Sequence, residues 1–157
     1  MSCLSRDGKP VTAAQGLVIG AHDAWETAAP LSVLVHPGGV GVNRLARDPE
    51  HLDWVRRQRA AVPLMTSVCT GALVYAAAGL LRGRPATTHW ACMDMLRELE
   101  PTAEVREDVR YVDDGNLITS AGVSAGIDMA LHVISRLAGS ERASQTRRDI
   151  QYEPEPA

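Results

Sequence analysis

The stretch PLMTSVCTGALVYAAAGLL, residues 63–81, decides the predicted fold. Its first part, Pro63–Val68, is an apolar run of strand length that ends at Cys69, and we predict a buried strand there. The Ala- and Leu-rich part that follows at once is predicted to be a helix closed by Gly79. A strand that passes through a short turn into a helix is typical of α/β proteins with a parallel sheet.

Segments on both sides of this stretch continue the alternation of strands and helices. Upstream, the apolar run Leu31–His36 is predicted to be a second buried strand, and Asp48 with Pro49 is predicted to begin a surface helix. The remaining predictions are a strand at Leu17–Gly20, a helix at His89–Glu100, a hairpin at Arg110–Gly122, and a helix at 124–139 whose buried face carries Ile127, Leu131, Ile134 and Ala138. The alternation predicts an α/β fold with a mostly parallel sheet.

Length and composition predict one globular domain over residues 1–157, because a typical domain has about 150 residues. Apolar residues make up 45% of the chain and charged residues 22%, which is ordinary globular usage. Lys and Arg number 16 against 19 Asp and Glu, so the net charge is −3. That balance gives no sign of the strongly basic surface that binds nucleic acid or an anionic membrane, and we expect neither partner.

The cysteines are few and far apart in the chain. Cys3, Cys69 and Cys92 are an odd number at wide spacing, which predicts neither a disulfide framework nor a zinc site. His89 lies three residues before Cys92, but no further cluster of ligands completes a metal site, so no metal is expected. No apolar run approaches the ~18 residues of a membrane span, and the N-terminus has no hydrophobic signal region. A reducing cytoplasm is therefore the expected location.

Cys69 lies where a nucleophile elbow would place its reactive side chain. An apolar strand ends at this residue, and the small residues Gly71 and Ala72 follow almost at once, which lets the backbone bend sharply. The N-terminus of a helix favours a thiolate, and the backbone N–H of Thr70 would face a developing oxyanion. A buried structural cysteine at the end of a strand is the alternative interpretation.

Two further motifs join Cys69 as candidates for the site. Gly38 and Gly39 follow the other buried strand, so they would lie at the same edge of a parallel sheet and offer N–H donors to a substrate. An ordinary turn is the alternative there. His89, in ATTHW, could return to the turn as a general base or orient the thiolate. A histidine that caps a helix or packs beside Trp90 is the alternative for that residue.

Taken together, three stretches resemble the ThiJ/PfpI superfamily of class I glutamine-amidotransferase-like proteins, most closely its isonitrile hydratase-like branch. They are LSVLVHPGGVGVNRL, SVCTGALVYAAAGLLRGRPATTHW and LITSAGVSAGIDMALHVISRLAG, and the resemblance runs from about Gly8 to Pro156. It implies a flavodoxin-like three-layer sandwich, a homodimer and no cofactor. It also implies a reactive Cys69, an essential Thr70, and amide donors from Gly38 or Gly39. The branch adds water to an isocyanide, a small-molecule substrate, and releases an N-substituted formamide.

The sequence departs from the family pattern at its beginning. Members of the family start with a strand and a loop of the type Asp-x-x-Gly-Pro, whose carboxylate acts as acid and base beside the cysteine. No segment before SRDGKPV corresponds to that loop, and Asp23 does not replace it by position. We therefore expect the family's first strand and first helix to be absent, and turnover to be impaired.

Two other classes of function remain open at this stage. Close relatives form the front half of AraC-type regulators, so the chain could be a ligand-sensing domain. A redox or stress-response role would instead use Cys69 as an oxidisable thiol. Release of a formamide would favour the enzyme, and a stable increase in mass at Cys69 would favour the redox role.

Overall fold

The computed structural model describes residues 1–153, and residues 154–157, where the predicted domain and the family resemblance end, lie outside the described part. The strands are β1 (Leu4–Ser5), β2 (Val11–Thr12), β3 (Val18–Ile19), β4 (Asp23–Ala24), β5 (Val33–His36), β6 (Leu64–Val68), β7 (Pro85–Ala86), β8 (Glu104–Val105), β9 (Tyr111–Asp113) and β10 (Leu117–Ser120). The helices are α1 (Val42–Leu45), α2 (Pro49–Ala61), α3 (Gly71–Ala77), α4 (Met93–Leu99), α5 (Ala125–Ala138) and α6 (Ser140–Asp149), with a 3₁₀ turn at Trp90–Cys92.

The central sheet has four strands in the order β5-β6-β10-β9. β6 runs parallel to β5 and to β10, and only β9 is antiparallel, as the hairpin prediction required. His36 lies opposite Ser67, and Val68 lies opposite Ser120. Because parallel strands end at the same edge of a sheet, this register brings the loop after His36 next to Cys69.

Side chains alternate between the two faces of this sheet and build two separate cores. Met65 and Leu117 contribute to a large apolar cluster with residues of α2, α3 and α4. Their neighbours Leu64 and Ile118 point the other way and pack against Met129 of α5. Helices on both faces of a mostly parallel sheet form the three-layer α/β sandwich of the flavodoxin-like class, and the predicted fold class is confirmed.

The last two helices differ from the sequence-based expectation. Ala125, Met129 and Leu131 are the buried residues of α5. The predicted apolar face is therefore confirmed at Leu131 and wrong at Ile127, which is 37% exposed. α6 was not predicted at all, because its residues include no apolar stripe and none of them is buried. Within residues 1–153, no helix has the length and apolar character needed to cross a membrane.

Candidate active site

Cys69 occupies the turn between β6 and α3 in a backbone conformation that side chains rarely adopt. Its φ angle is 58°, in the left-handed region. Its N–H lies 3.1 Å from the carbonyl oxygen of Ser120 and 3.2 Å from that of Ala121, and its own carbonyl accepts a 2.9 Å bond from the Thr88 hydroxyl. These contacts hold a strained turn in place, so the strand-to-helix turn predicted at Cys69 is confirmed.

Thr70 joins this turn to the loop after β5. The N–H of Gly39 donates to Thr70 Oγ1 over 2.9 Å, and the same hydroxyl lies 3.3 Å from the Gly39 carbonyl, to which it donates. The two backbones also meet directly. A Cβ on Gly38 would lie 2.8 Å from the Thr70 nitrogen and 2.9 Å from Cys69 Cβ, and a Cβ on Gly71 would lie 2.5 Å from the His36 carbonyl oxygen. Glycine is therefore needed at both positions.

Two backbone N–H groups near Cys69 have no hydrogen-bond partner within residues 1–153. Within residues 1–153, neither Gly38 nor Thr70 donates its N–H to another protein atom. Both groups belong to the contact between the loop and the turn, and Cys69 is half-buried next to them. A pair of unused amide donors beside a thiol can stabilise negative charge that develops on a substrate bound to sulfur.

His89 uses one ring nitrogen to cap the turn that follows it. Its Nδ1 accepts the N–H of Ala91 over 3.2 Å, which caps the 3₁₀ turn, and its ring lies against Gly122. In the described part of the chain it makes no hydrogen bond to Cys69. The capping alternative therefore describes its contacts. Because Nδ1 is an acceptor, the hydrogen of the neutral ring is on Nε2, and a role in proton transfer stays a prediction.

A cleft of about 380 Å³ opens between His89 and the turn that follows β10. Its walls come from His89, Trp90, Met93, Asp108, Val109, Arg110 and the turn Ala121–Val123. Ala121 also contacts Cys69 through its carbonyl oxygen, so the cleft adjoins the reactive turn. Sequence reasoning singled out His89 among these residues but not its partners at 108–110 and 121–123, because the lining comes from three separate segments that share no motif.

Cys92 differs from Cys69 in its surroundings. Burial raises the pKa of the Cys92 thiol, and the nearby charge of Cys69 raises it further. At neutral pH Cys92 is therefore less ionised than an ordinary cysteine thiol. In residues 1–153, no group of three or more His, Cys, Asp or Glu side chains could hold a metal ion.

His36, which sequence reasoning did not single out, is buried directly below the loop. Burial, and then the nearby His51, lower the pKa of His36 from 6.5 to about 4. In the unfolded chain this imidazole would take up a proton near pH 6.5, whereas in the native protein it stays neutral until the pH approaches 4.

We therefore expect the free energy of unfolding to fall as the pH is lowered from 6.5 to 4, with His36 contributing about 3 kcal/mol of the loss. Urea unfolding at several pH values measures this slope. His36→Asn has no group that titrates in this range and serves as the matched control, so its slope should be shallower. An identical slope in both proteins would show that His36 is not held neutral by the fold.

The sequence matches the DJ-1/PfpI family over residues 1–136. It is 42% identical to an isonitrile hydratase of Pseudomonas putida, over 96% of this chain and 65% of that protein. It is 33% identical to the HTH-type transcriptional regulator GbdR of Pseudomonas aeruginosa, over 96% of this chain and 40% of the regulator.

A solved structure shows the same fold. The crystal structure of a ThiJ/PfpI family protein from Pseudomonas syringae superimposes with a TM-score of 0.89 at 36% identity, covering 99% of this chain and 64% of that one. The chain thus spans less than two-thirds of the length of each of these three proteins.

Proposed function

The chain belongs to the DJ-1/PfpI family, and on that premise we propose that it is a cysteine-dependent, isonitrile hydratase-like enzyme that hydrates an isocyanide to an N-substituted formamide. One observation carries the proposal: Cys69 lies on a strained turn next to the free N–H groups of Gly38 and Thr70. The 42% identity to an isonitrile hydratase supports the substrate class. The reaction needs no cofactor, since it consists of an addition and a hydrolysis.

In the first step the Cys69 thiolate attacks the terminal carbon of the isocyanide and forms a carbon–sulfur bond. The carbon becomes an imidoyl centre with carbanion character and takes a proton, which gives a thioimidate. We propose that a water molecule supplies this proton while it accepts a hydrogen bond from the Nε2–H of His89, whose Nδ1 accepts from Ala91. The imidazole orients and polarises that water and keeps its own hydrogen, and a hydroxide ion is left.

In the second step water adds to the thioimidate carbon. The oxygen that water brings carries negative charge as the tetrahedral centre forms, and the N–H groups of Gly38 and Thr70 are the donors proposed to stabilise it. The nitrogen takes up one proton of this water, and the other proton neutralises the hydroxide left by the first step. The carbon–sulfur bond then breaks and the thiolate of Cys69 leaves. The product is the formamide, and the enzyme returns to its starting state. The Thr70 hydroxyl keeps the two donors together through its bonds to Gly39.

Formamide production from cyclohexyl isocyanide tests this function. We expect saturable formation of N-cyclohexylformamide, measured by chromatography against a protein-free control. A rate equal to that control across substrate concentrations would contradict the proposal.

A ligand-sensing role is the second candidate, because the match to the transcriptional regulator also covers 96% of this chain. A sensing domain would bind its small molecule without converting it. Saturable binding of the isocyanide, with no formamide formed over many hours, would favour this role over the enzyme.

We also propose that the chain forms a homodimer in a reducing cytoplasm. The family resemblance supports the dimer, and so do apolar side chains left exposed on and beside the β2–β3 hairpin: Val11, Leu17, Val18 and Ile19. The three cysteines are free thiols, which suits a reducing compartment. Sedimentation at micromolar concentration should show a dimer, and a monomer throughout that range would contradict it.

A further inference from the structure

Two buried histidines lie beneath the Pro37–Gly39 loop and have no role in the steps above. His36 ends β5, His51 lies in the first turn of α2, and each is 5% exposed. Their Nε2 atoms are 2.9 Å apart, and His36 Nδ1 is 3.0 Å from the carbonyl oxygen of Pro37. A chain of hydrogen bonds therefore runs from α2 through both imidazoles to the backbone of the loop.

The chemistry of the partners fixes where the hydrogens lie. A carbonyl oxygen only accepts, so His36 Nδ1 must carry a hydrogen and donate it to Pro37. Burial lowers the pKa of both histidines, so each ring is neutral at pH 7 and has one hydrogen. His36 Nε2 is then an acceptor, and His51 Nε2 is the donor to it. Within residues 1–153, the buried His51 Nδ1 is left without a partner.

Aromatic packing keeps both rings in this orientation. The His51 ring stacks on Trp25 at 5.3 Å and on Trp54 at 5.8 Å, each with planes inclined by 25°. The His36 ring meets the edge of Tyr75 at 5.7 Å. An unpaired buried nitrogen costs free energy, about 1–3 kcal/mol for a typical polar group. Stacking on the two tryptophans therefore keeps the His51 ring in an orientation that leaves its Nδ1 without a hydrogen bond.

The carbonyl that His36 binds belongs to the same peptide group as the N–H of Gly38. In a trans peptide these two groups point in opposite directions, and the chain has no cis peptide in its described part. Holding the Pro37 oxygen toward His36 therefore turns the Gly38 N–H away from the interior. That N–H is one of the two free donors beside Cys69.

We propose that His36 is a positioning residue: held as its Nδ1–H tautomer by His51, it fixes the Pro37–Gly38 peptide so that the Gly38 N–H serves the reaction at Cys69. The catalytic part of this inference rests on the function proposed above. The geometric part, which concerns the tautomer and the orientation of the peptide, does not.

Nuclear magnetic resonance of ¹⁵N-labelled protein tests the geometric part. We expect the His36 ring to be the Nδ1–H tautomer and the His51 ring the Nε2–H tautomer at pH 7. His51→Leu should raise the fraction of His36 in the Nε2–H form that free imidazole prefers. His36→Leu should shift the amide signal of Gly38 while leaving that of Gly41 in place. A His36 ring found as Nε2–H in the unsubstituted protein would overturn the proposal.

Kinetics of His36→Leu and His36→Asn test the catalytic part. Leu keeps much of the volume but loses the donor, so kcat should fall about tenfold or more with little change in KM. Asn can keep an N–H near the position of Nδ1, so the kcat of His36→Asn should stay within about threefold of the value for the unsubstituted protein. Alkylation of Cys69 by iodoacetamide should be alike in all three proteins, because the thiol itself is unchanged.

The outcomes separate this inference from the proposed function. Equal kcat values for His36→Leu and the unsubstituted protein, or an equal loss in both variants, would overturn the positioning role. If no protein makes formamide, the proposed function fails and the spectra alone decide the inference. If His36→Leu does not fold, the His51→Leu spectrum still decides whether His51 selects the tautomer.

Discussion

Cys69→Ala is expected to lower formamide production by about 10⁴-fold or more, because the reaction proposed above forms its covalent bond at this sulfur. Alanine adopts the φ of 58° no more easily than cysteine, so the strain of the turn is retained while the nucleophile is lost. The assay with cyclohexyl isocyanide measures the loss, and thermal unfolding checks that the variant folds.

Cys92→Ala is the matched control, and its rate should remain close to that of the unsubstituted protein. Burial and the nearby Cys69 raise the pKa of the Cys92 thiol, so little thiolate forms there at neutral pH. Limited labelling with iodoacetamide at pH 6.5, followed by peptide mass measurement, should accordingly modify Cys69 before Cys92. Preferential labelling of Cys92, or loss of activity in Cys92→Ala, would contradict the assignment of Cys69 as the reactive thiol.

Gly38→Ala is expected to lower kcat by about 10²–10³-fold, the typical effect of losing one donor to an oxyanion. The added methyl group would lie 2.8 Å from the Thr70 nitrogen and 2.9 Å from Cys69 Cβ, which is closer than atoms can approach. The loop must therefore move away from the turn. That movement separates the two free N–H groups and also blocks the space between them.

Gly41→Ala is the control for this prediction, since it lies in the same connection and its Cβ would meet nothing within 4 Å. Its φ of −64° suits alanine, so activity should be unchanged and thermal stability should be unchanged or slightly raised. An active Gly38→Ala protein would show that the contact between loop and turn does not serve catalysis.

Much of the fold follows from local patterns in the sequence. The turn at Cys69 was predictable because an apolar strand leads directly into the cysteine, and two small residues follow after Thr70. The start of α2 was equally clear: Asp48 accepts the N–H groups of Glu50 and His51, as an N-cap aspartate followed by proline predicts. The ends of two neighbouring parallel strands were enough to place Gly38 beside Cys69. The prediction that the first of them is buried was wrong, because β5 is an edge strand and its Val35 is 54% exposed.

Features that depend on packing between distant segments were not predictable. Apolar residues lie on several sides of α5, so periodicity could not show that Met129 rather than Ile127 faces the sheet. The pairing of His36 with His51 arises because the first turn of α2 packs over the end of β5, beside Trp25. One histidine lies in a strand and the other in a helix, and no sequence motif links them. Their contact could therefore not be predicted from the sequence.

The central claim is that Cys69 forms a covalent thioimidate with an isocyanide, and a rapid-quench mass measurement tests it most directly. The protein is mixed with cyclohexyl isocyanide, quenched in acid within the first turnover and digested with trypsin, which places the three cysteines on different peptides. We expect a transient gain of one isocyanide mass on the Cys69 peptide, which rises before formamide appears and then declines. Formamide that accumulates without any mass gain at Cys69, or with the gain on the peptide of Cys92, would contradict it.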